Sequence, residues 1–98
     1  MNNKPDNSEY IQLFRALAND DRIEILKLLK KNKEMAAHEV EKHFYLEQST
    51  TSHHLNTLRR AEIAKVRREG RNIYYSLNFE TFRKKLEKFK NLLNPDIT

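Results

Sequence analysis

The sequence predicts a mainly α domain of the α+β class: four helices, a β-hairpin and a fifth helix. Three observations predict it. Apolar residues recur at helical spacing through residues 9–61. The period then drops from 3.6 to 2 over residues 64–77. A last apolar stripe follows, Phe79, Phe82, Leu86, Phe89 and Leu93, closed by Asn94-Pro95. Ninety-eight residues suffice for one such domain and not for two. Residues 9–93 are expected to form it, with residues 1–8 a disordered tail and residues 94–98 a C-terminal tail.

Ser8 is placed to cap a first helix that runs to Ala18, with Tyr10, Ile11, Leu13, Phe14, Leu17 and Ala18 as apolar positions. These fill more than one stripe. Asn19 or Asp20 opens a second helix. Asp20, Asp21 and Glu24 sit in its first turn and Lys27, Lys30 and Lys31 near its end, an order that complements the helix dipole. Ile23, Ile25, Leu26 and Leu29 are its expected core face, and Asn32-Lys33-Glu34 its stop. Met35 belongs to a short extended piece. A third helix covers about residues 37–44, with Val40, Phe44 and Ala36 inward. Tyr45-Leu46-Glu47 is a tight connection to a fourth helix, Gln48 to about Ala61. Beyond Ile63, residues 64–68 and 71–77 alternate, with Ile73, Tyr75 and Leu77 on one face. Gly70, the only glycine, falls between the two runs, where a hairpin turn needs a positive φ. A lone hairpin is marginal in water, so this one is expected to pack on the helices. Asn78 is placed to cap the last helix, which ends near Leu93.

The fourth helix has two faces. Thr51, His54, Leu55 and Leu58 fall together at offsets of three and four, and Ser49, Ser52, His53, Asn56 and Arg60 fall opposite. An ordinary surface helix carries Glu and Lys outward. Short hydroxyls, an amide and an imidazole solvate poorly but read base edges well in a major groove. Gln48, Ser49 and Thr50 open the helix with free backbone N–H groups and hydroxyls, where a phosphate can dock. His54 points to the buried side and is expected to pack or hydrogen-bond there. Two helices about three residues apart, the second with a polar outer face, are the helix-turn-helix pattern, and the hairpin straight after makes it a winged helix. Arg67, Arg68, Arg71 and Asn72 surround the hairpin turn. Arginines on a thin projection suit phosphate contact or minor-groove entry; the bland alternative is an edge strand protected by charge. From residue 47 to residue 72 there are six Arg or Lys against three Glu.

Composition narrows the function classes. Nineteen Lys and Arg against fourteen Asp and Glu leave +5, which favours a polyanionic partner, nucleic acid or an anionic membrane surface. The chain is 38% hydrophobic and 34% charged, so a monomer core is modest. There is no cysteine, which excludes disulfides, thiolate metal sites and thiol redox sensing. No apolar run is long enough for a membrane span. The protein is expected in the cytoplasm, on the nucleoid when bound to DNA. No catalytic grouping, Gly-rich phosphate loop or metal quartet points to an enzyme or a cofactor. His38 and His43 are five apart and diverge on a helix. Arg83, Lys84, Lys85, Lys88 and Lys90 read as a solvated face. A basic amphipathic helix can lie on a membrane, but its apolar stripe has a better use between protein chains.

At three motifs in order the chain resembles the ArsR/SmtB type of winged helix repressors. Residues 14–26, Phe-Arg-Ala-Leu-Ala-Asn-Asp-Asp-Arg-Ile-Glu-Ile-Leu, match the family's opening pattern; residues 46–63 look like its recognition helix and residues 66–77 like its wing. The resemblance spans about residues 11–78. It implies a homodimeric bacterial repressor that binds double-stranded DNA at an imperfect inverted repeat, with the first and last helices forming the dimer interface. Tyr10, Leu13, Phe14 and Leu17, with Phe79, Phe82, Leu86, Phe89 and Leu93, fit that interface. Each such side chain is worth roughly 1.5–3 kcal/mol when buried, and a chain this short strains to cover both faces alone. Dimerisation would set two recognition helices about 34–36 Å apart.

The departures bear on sensing. The family's metal sites use cysteines on the helix matching residues 37–44, or histidines on the last helix, and neither is present here. Thr51 stands where the recognition helix usually has Val, and Glu47 where a Ser or Thr cap is common. The alternatives left open are a winged helix used for a protein partner, or a regulator answering an unidentified small-molecule effector at the dimer interface.

Overall fold

A computed structural model describes residues 5–44 and 46–97. The elements are α1 (Ser8–Leu17), α2 (Asp20–Asn32), β1 (Glu34–Ala36), α3 (Ala37–Phe44), α4 (Gln48–Arg60), β2 (Ala64–Glu69), β3 (Asn72–Leu77) and α5 (Phe79–Leu93). Helix order and hairpin are as the periodicity predicts. The first four residues of the expected tail, Tyr45 of the α3–α4 connection and Thr98 lie outside the described residues.

The sheet differs from expectation. It has three antiparallel strands in the order β1-β3-β2, because the piece around Met35 pairs with β3, Met35 opposite Tyr75. A two-stranded ribbon exposes both edges. The third strand covers one of them and makes β3 central. The turn is Gly70-Arg71, with only Gly70 at positive φ (61°), the pattern of a type II′ hairpin.

Leu13 of α1, Ile25 and Leu29 of α2, Val40 of α3, Leu55 and Leu58 of α4 and Ile63 beyond it form the sealed core. Ile23 is corrected: it is exposed, and Leu28 is buried in its place. Leu28 is one turn from Ile25, whereas Ile23, two residues before it, points to the opposite side.

Two expected caps are also corrected. Ser8 is the first helical residue, and its N–H donates to Asp6 Oδ1 at 3.0 Å. Asn78 holds the N-cap position of α5, but its side chain makes no cap bond. Its N–H donates to the Ile63 carbonyl (2.7 Å) and its carbonyl accepts from Phe82 N–H (3.0 Å). Asn19 does cap α2, its Oδ1 accepting from Arg22 N–H at 3.0 Å.

At the end of α4, Ile63 N–H reaches the Leu58 carbonyl (3.0 Å) and Glu62 N–H the Arg59 carbonyl (2.9 Å). This is a Schellman closure, with Glu62 (φ 63°) where glycine is usual. It turns the chain from the helix directly into β2, so helix and wing leave from one rigid corner.

The radius of gyration is 15.5 Å, against about 13 Å for a compact domain of this size. The long element is α5, which has no fully buried residue.

Candidate nucleic-acid interface

The rotation of α4 about its axis decides what it offers. Thr51, His54, Leu55 and Leu58 are buried, so the opposite side must face out. Gln48, Ser49, Ser52, His53 and Arg60 are exposed there, and Thr50 and Asn56 are half-buried at its margins. The helix contains no Asp or Glu. Its flanking Glu62 is drawn toward α5 by Lys85 (3.3 Å). The outer face of the helix therefore presents hydroxyls, an imidazole and an amide, with the exposed Glu47 carboxylate only at its N-terminal end. Glu47 makes no side-chain cap bond, which leaves the N–H groups of the first turn free.

Arg59 is a residue the sequence reading missed. It is exposed, and its Nε and Nη2 both donate to Asn56 Oδ1 at 3.4 Å. That leaves the Asn56 amide hydrogens free to donate outward. The signal was available, since Arg59 is seven residues from Ser52 and falls on the same face. Arg60 diverges toward α1, beside Ser8, Gln12 and Arg15.

The wing arginines separate into two kinds. Arg68 and Arg71 are exposed and make no hydrogen bond or ion pair among the described residues. Arg67, also expected at the DNA, is engaged within the chain. Its Nε and Nη2 donate to the two Glu34 oxygens (3.0 and 2.7 Å) and its Nη1 to Glu69 (2.7 Å), with the guanidinium 4.7 Å over the Tyr74 ring. These carboxylates hold its proton more tightly than usual, and Arg67 in turn keeps Glu34 below the ordinary carboxylate range. The register explains it: Arg67 and Glu34 lie diagonally across β3 on one face, so Arg67 staples β2 to β1.

Behind α4, Arg22 ties three helices together. Its Nε donates to the Ala16 carbonyl (2.8 Å), its Nη2 to the Arg15 carbonyl (3.0 Å), and its Nη1 meets His54 Nδ1 at 3.1 Å. One guanidinium thus satisfies the open carbonyl end of α1 and touches the buried face of α4. A donating Arg22 requires Nδ1 to be unprotonated, which leaves the imidazole proton on Nε2, 3.8 Å from Asp21 Oδ2. Burial first, and then the Arg22 charge, hold the His54 pKa below the ordinary histidine value; Asp21 works in the other direction. His54 is therefore a neutral acceptor at neutral pH.

The α1–α5 face also sorts itself. Leu13 is corrected: it is 1% exposed, part of the monomer core and closed to a second chain. Leu17, Phe82 and Leu86 are half-buried against that core. Phe89 packs edge-on to Tyr10 (5.3 Å) and Phe14 (4.7 Å) within one chain. Exposed along this face are Phe14, Leu93 and two residues the stripe reading left out, Ile11 and Leu92. Phe79 is exposed at the far end of α5. Among the described residues no helix is long and apolar enough to cross a membrane, and no three His, Asp or Glu side chains gather to hold a metal ion.

This arrangement has known counterparts. Residues 19–66 match the model of the bacterial regulatory protein, arsR family. The chain is 37% identical over 82 residues to the transcriptional repressor SdpR of Bacillus subtilis, covering 84% of this chain and 90% of that protein. It is 34% identical over 85 residues to a cadmium resistance transcriptional regulatory protein CadC homolog of Staphylococcus aureus, covering 87% and 70%. Among solved structures it is similar to the transcriptional repressor PagR of Bacillus anthracis (TM-score 0.65, 32% identity, 88% and 93% covered). It shares its fold with a homodimeric winged helix-turn-helix DNA-binding domain from Mycobacterium bovis (TM-score 0.71, 23% identity, 100% and 94% covered). With α4 presenting a carboxylate-free polar face beside an arginine-tipped wing, and with relatives of this identity over most of its length, the chain belongs to the arsR family of bacterial regulatory proteins.

Proposed function

We propose that this regulator is a repressor that binds an inverted-repeat operator in double-stranded DNA as a homodimer. The observation that carries the reading is the outer face of α4. Ser49, Ser52, His53 and Asn56 stand out from a helix whose other side is sealed in the core. In a major groove the Asn56 amide, its oxygen held by Arg59, donates to a base edge, and the hydroxyls and His53 read neighbouring bases. Gln48, Ser49 and Thr50 receive a phosphate at the helix start. Arg68 and Arg71 of the wing contact the backbone or enter the adjacent minor groove, while Arg67 keeps the wing stiff.

The dimer joins through α1 and α5. Ile11, Phe14, Leu92 and Leu93 are the exposed apolar residues there, continuous with Tyr10 and Phe89. The M. bovis domain of the same fold is homodimeric. Two-fold symmetry would present the α4 helices to successive major grooves about 34–36 Å apart.

Selection of bound duplexes from a random pool tests this. The expected product is an inverted repeat with half-sites about one helical turn apart, and affinity that falls steeply as salt rises. A pool with no enriched motif, or binding indifferent to salt, overturns the reading.

A further inference from the structure

A cavity of about 780 Å³ opens between the C-terminal half of α2, the base of the sheet and the start of α5. Its apolar walls are Leu26, Leu29, Ile63, Leu77, Phe79 and Phe82. Leu29 and Ile63 are sealed beneath it, and Phe79 stands 58% exposed at its mouth. Four ammonium groups belong to the same lining: Lys27, Lys30, Lys33 and Lys65. No carboxylate does. Lys27 is paired with Glu24 (2.8 Å). Lys30, Lys33 and Lys65 have no ion pair among the described residues. Lys33 follows the end of α2 at a φ of 65°, and Lys65 sits across from Ser76, which also lines the cavity.

Phe79 and Phe82, which the sequence groups with the dimer stripe, line this cavity, apart from the exposed apolar patch at the C-terminal end of α5. The cavity shares no lining residue with the two grooves between α1 and α5, where a second chain is expected. It contains no residue of α4 and none of the wing arginines. Its size falls within the range of small-molecule sites, about 300–1,000 Å³. An apolar trough rimmed by three uncompensated ammonium groups is complementary to a molecule with a hydrocarbon tail and one anionic end.

We propose that this cavity binds a medium-chain fatty acid. The alkyl chain lies along Leu26, Leu77, Phe79 and Phe82, and the carboxylate sits among Lys30, Lys33 and Lys65. The ligand therefore enters between α2, the sheet and α5 of one chain, away from the dimer interface. The site stands on its lining alone and does not rest on the DNA-reading role of α4.

Calorimetric titration of dodecanoate, below its micelle concentration, into the full chain tests it. One saturable site per chain is expected, with dodecanol at least about tenfold weaker because it lacks the charge. The double substitution Lys30→Glu/Lys33→Glu should weaken dodecanoate about tenfold or more and leave dodecanol nearly unchanged. Phe79→Ser should weaken both. All three positions are exposed, and circular dichroism on each variant establishes that it is folded. Absence of saturable binding, uptake of many molecules per chain, or equal affinity for acid and alcohol in all variants overturns the proposal. So does a change of oligomeric state in Phe79→Ser by sedimentation, which would make the cavity a seat for a second copy.

Discussion

Helices α4 and α5 are both amphipathic, and they are held in opposite ways. The inner stripe of α4 is sealed, with Leu55 and Leu58 at 0% exposure. Arg22 and the Schellman turn at Glu62 further tie it to α1 and β2. The inner stripe of α5 reaches the core only through Phe82 and Leu86, and its C-terminal third is open. A helix that reads a groove must keep its rotation, because a turn of one residue replaces every side chain it presents. A helix that joins two chains must instead keep apolar surface uncovered until the partner arrives. Burial in one chain serves the first need and defeats the second.

The largest expected effect breaks the open helix. Leu93→Glu places a charge in the proposed interface at an exposed position, so the monomer stays folded. Losing about 1.5–3 kcal/mol per copy, twice in a symmetric pair, should raise the dimer Kd roughly a hundredfold or more. Sedimentation equilibrium checks it, and an unchanged dimer would move the interface elsewhere. Operator affinity should fall with the dimer.

Next come the residues α4 presents. Ser52→Ala or His53→Ala should cost about 1–3 kcal/mol in specific binding and much less in non-specific binding. Arg68→Ala or Arg71→Ala should weaken both and lower the salt slope by about one. Arg67→Ala is the discriminating variant. Held by Glu34 and Glu69, it should leave the salt slope nearly unchanged. A drop equal to that of Arg68→Ala would mean that DNA recruits Arg67 away from its carboxylates.

The sealed face of α4 can be improved. Thr51 Oγ1 is buried without a hydrogen-bond partner. Thr51→Val keeps the shape and removes the stranded hydroxyl, so urea unfolding should show a gain of about 1–2 kcal/mol. A loss would indicate that the hydroxyl is satisfied by water in solution.

The smallest effect is on pH dependence. His54 has a depressed pKa in the fold, while in the unfolded chain it titrates near about 6.5. Between those values the unfolded chain binds more protons, so stability should fall as the pH drops below about 6.5. Protonation would also set a charged imidazole against the Arg22 guanidinium. In His54→Gln, denaturant midpoints between pH 7.5 and 5.5 should show a flatter decline. An equal decline would assign the pH dependence to other groups.

The buried face of α4 is legible in the sequence because a helix of thirteen residues repeats its period often enough to separate Thr51, His54, Leu55 and Leu58 from the rest. The faces of α1 and α5 are less legible. Their apolar residues exceed one stripe, and periodicity does not say which surplus is core and which is interface. For that reason Leu13, expected at the interface, is core, while Ile11 is exposed; in α2 Leu28 is buried in place of Ile23. Arg67 was illegible for another reason: its partner Glu34 lies 33 residues away, and composition near the wing counts charges without pairing them.

By itself, then, the sequence determined the succession of helices and strands, the glycine turn of the wing and the polar outer face of α4. All of these follow from local backbone preferences and from repeats within a few residues. Only the tertiary structure decided the third strand, the pairing of Arg67, the Arg22 link from α1 to His54 and the basic-rimmed cavity beside α5. Each of these joins side chains or strands that are remote in the chain, and such contacts depend on how the elements pack rather than on what each one is.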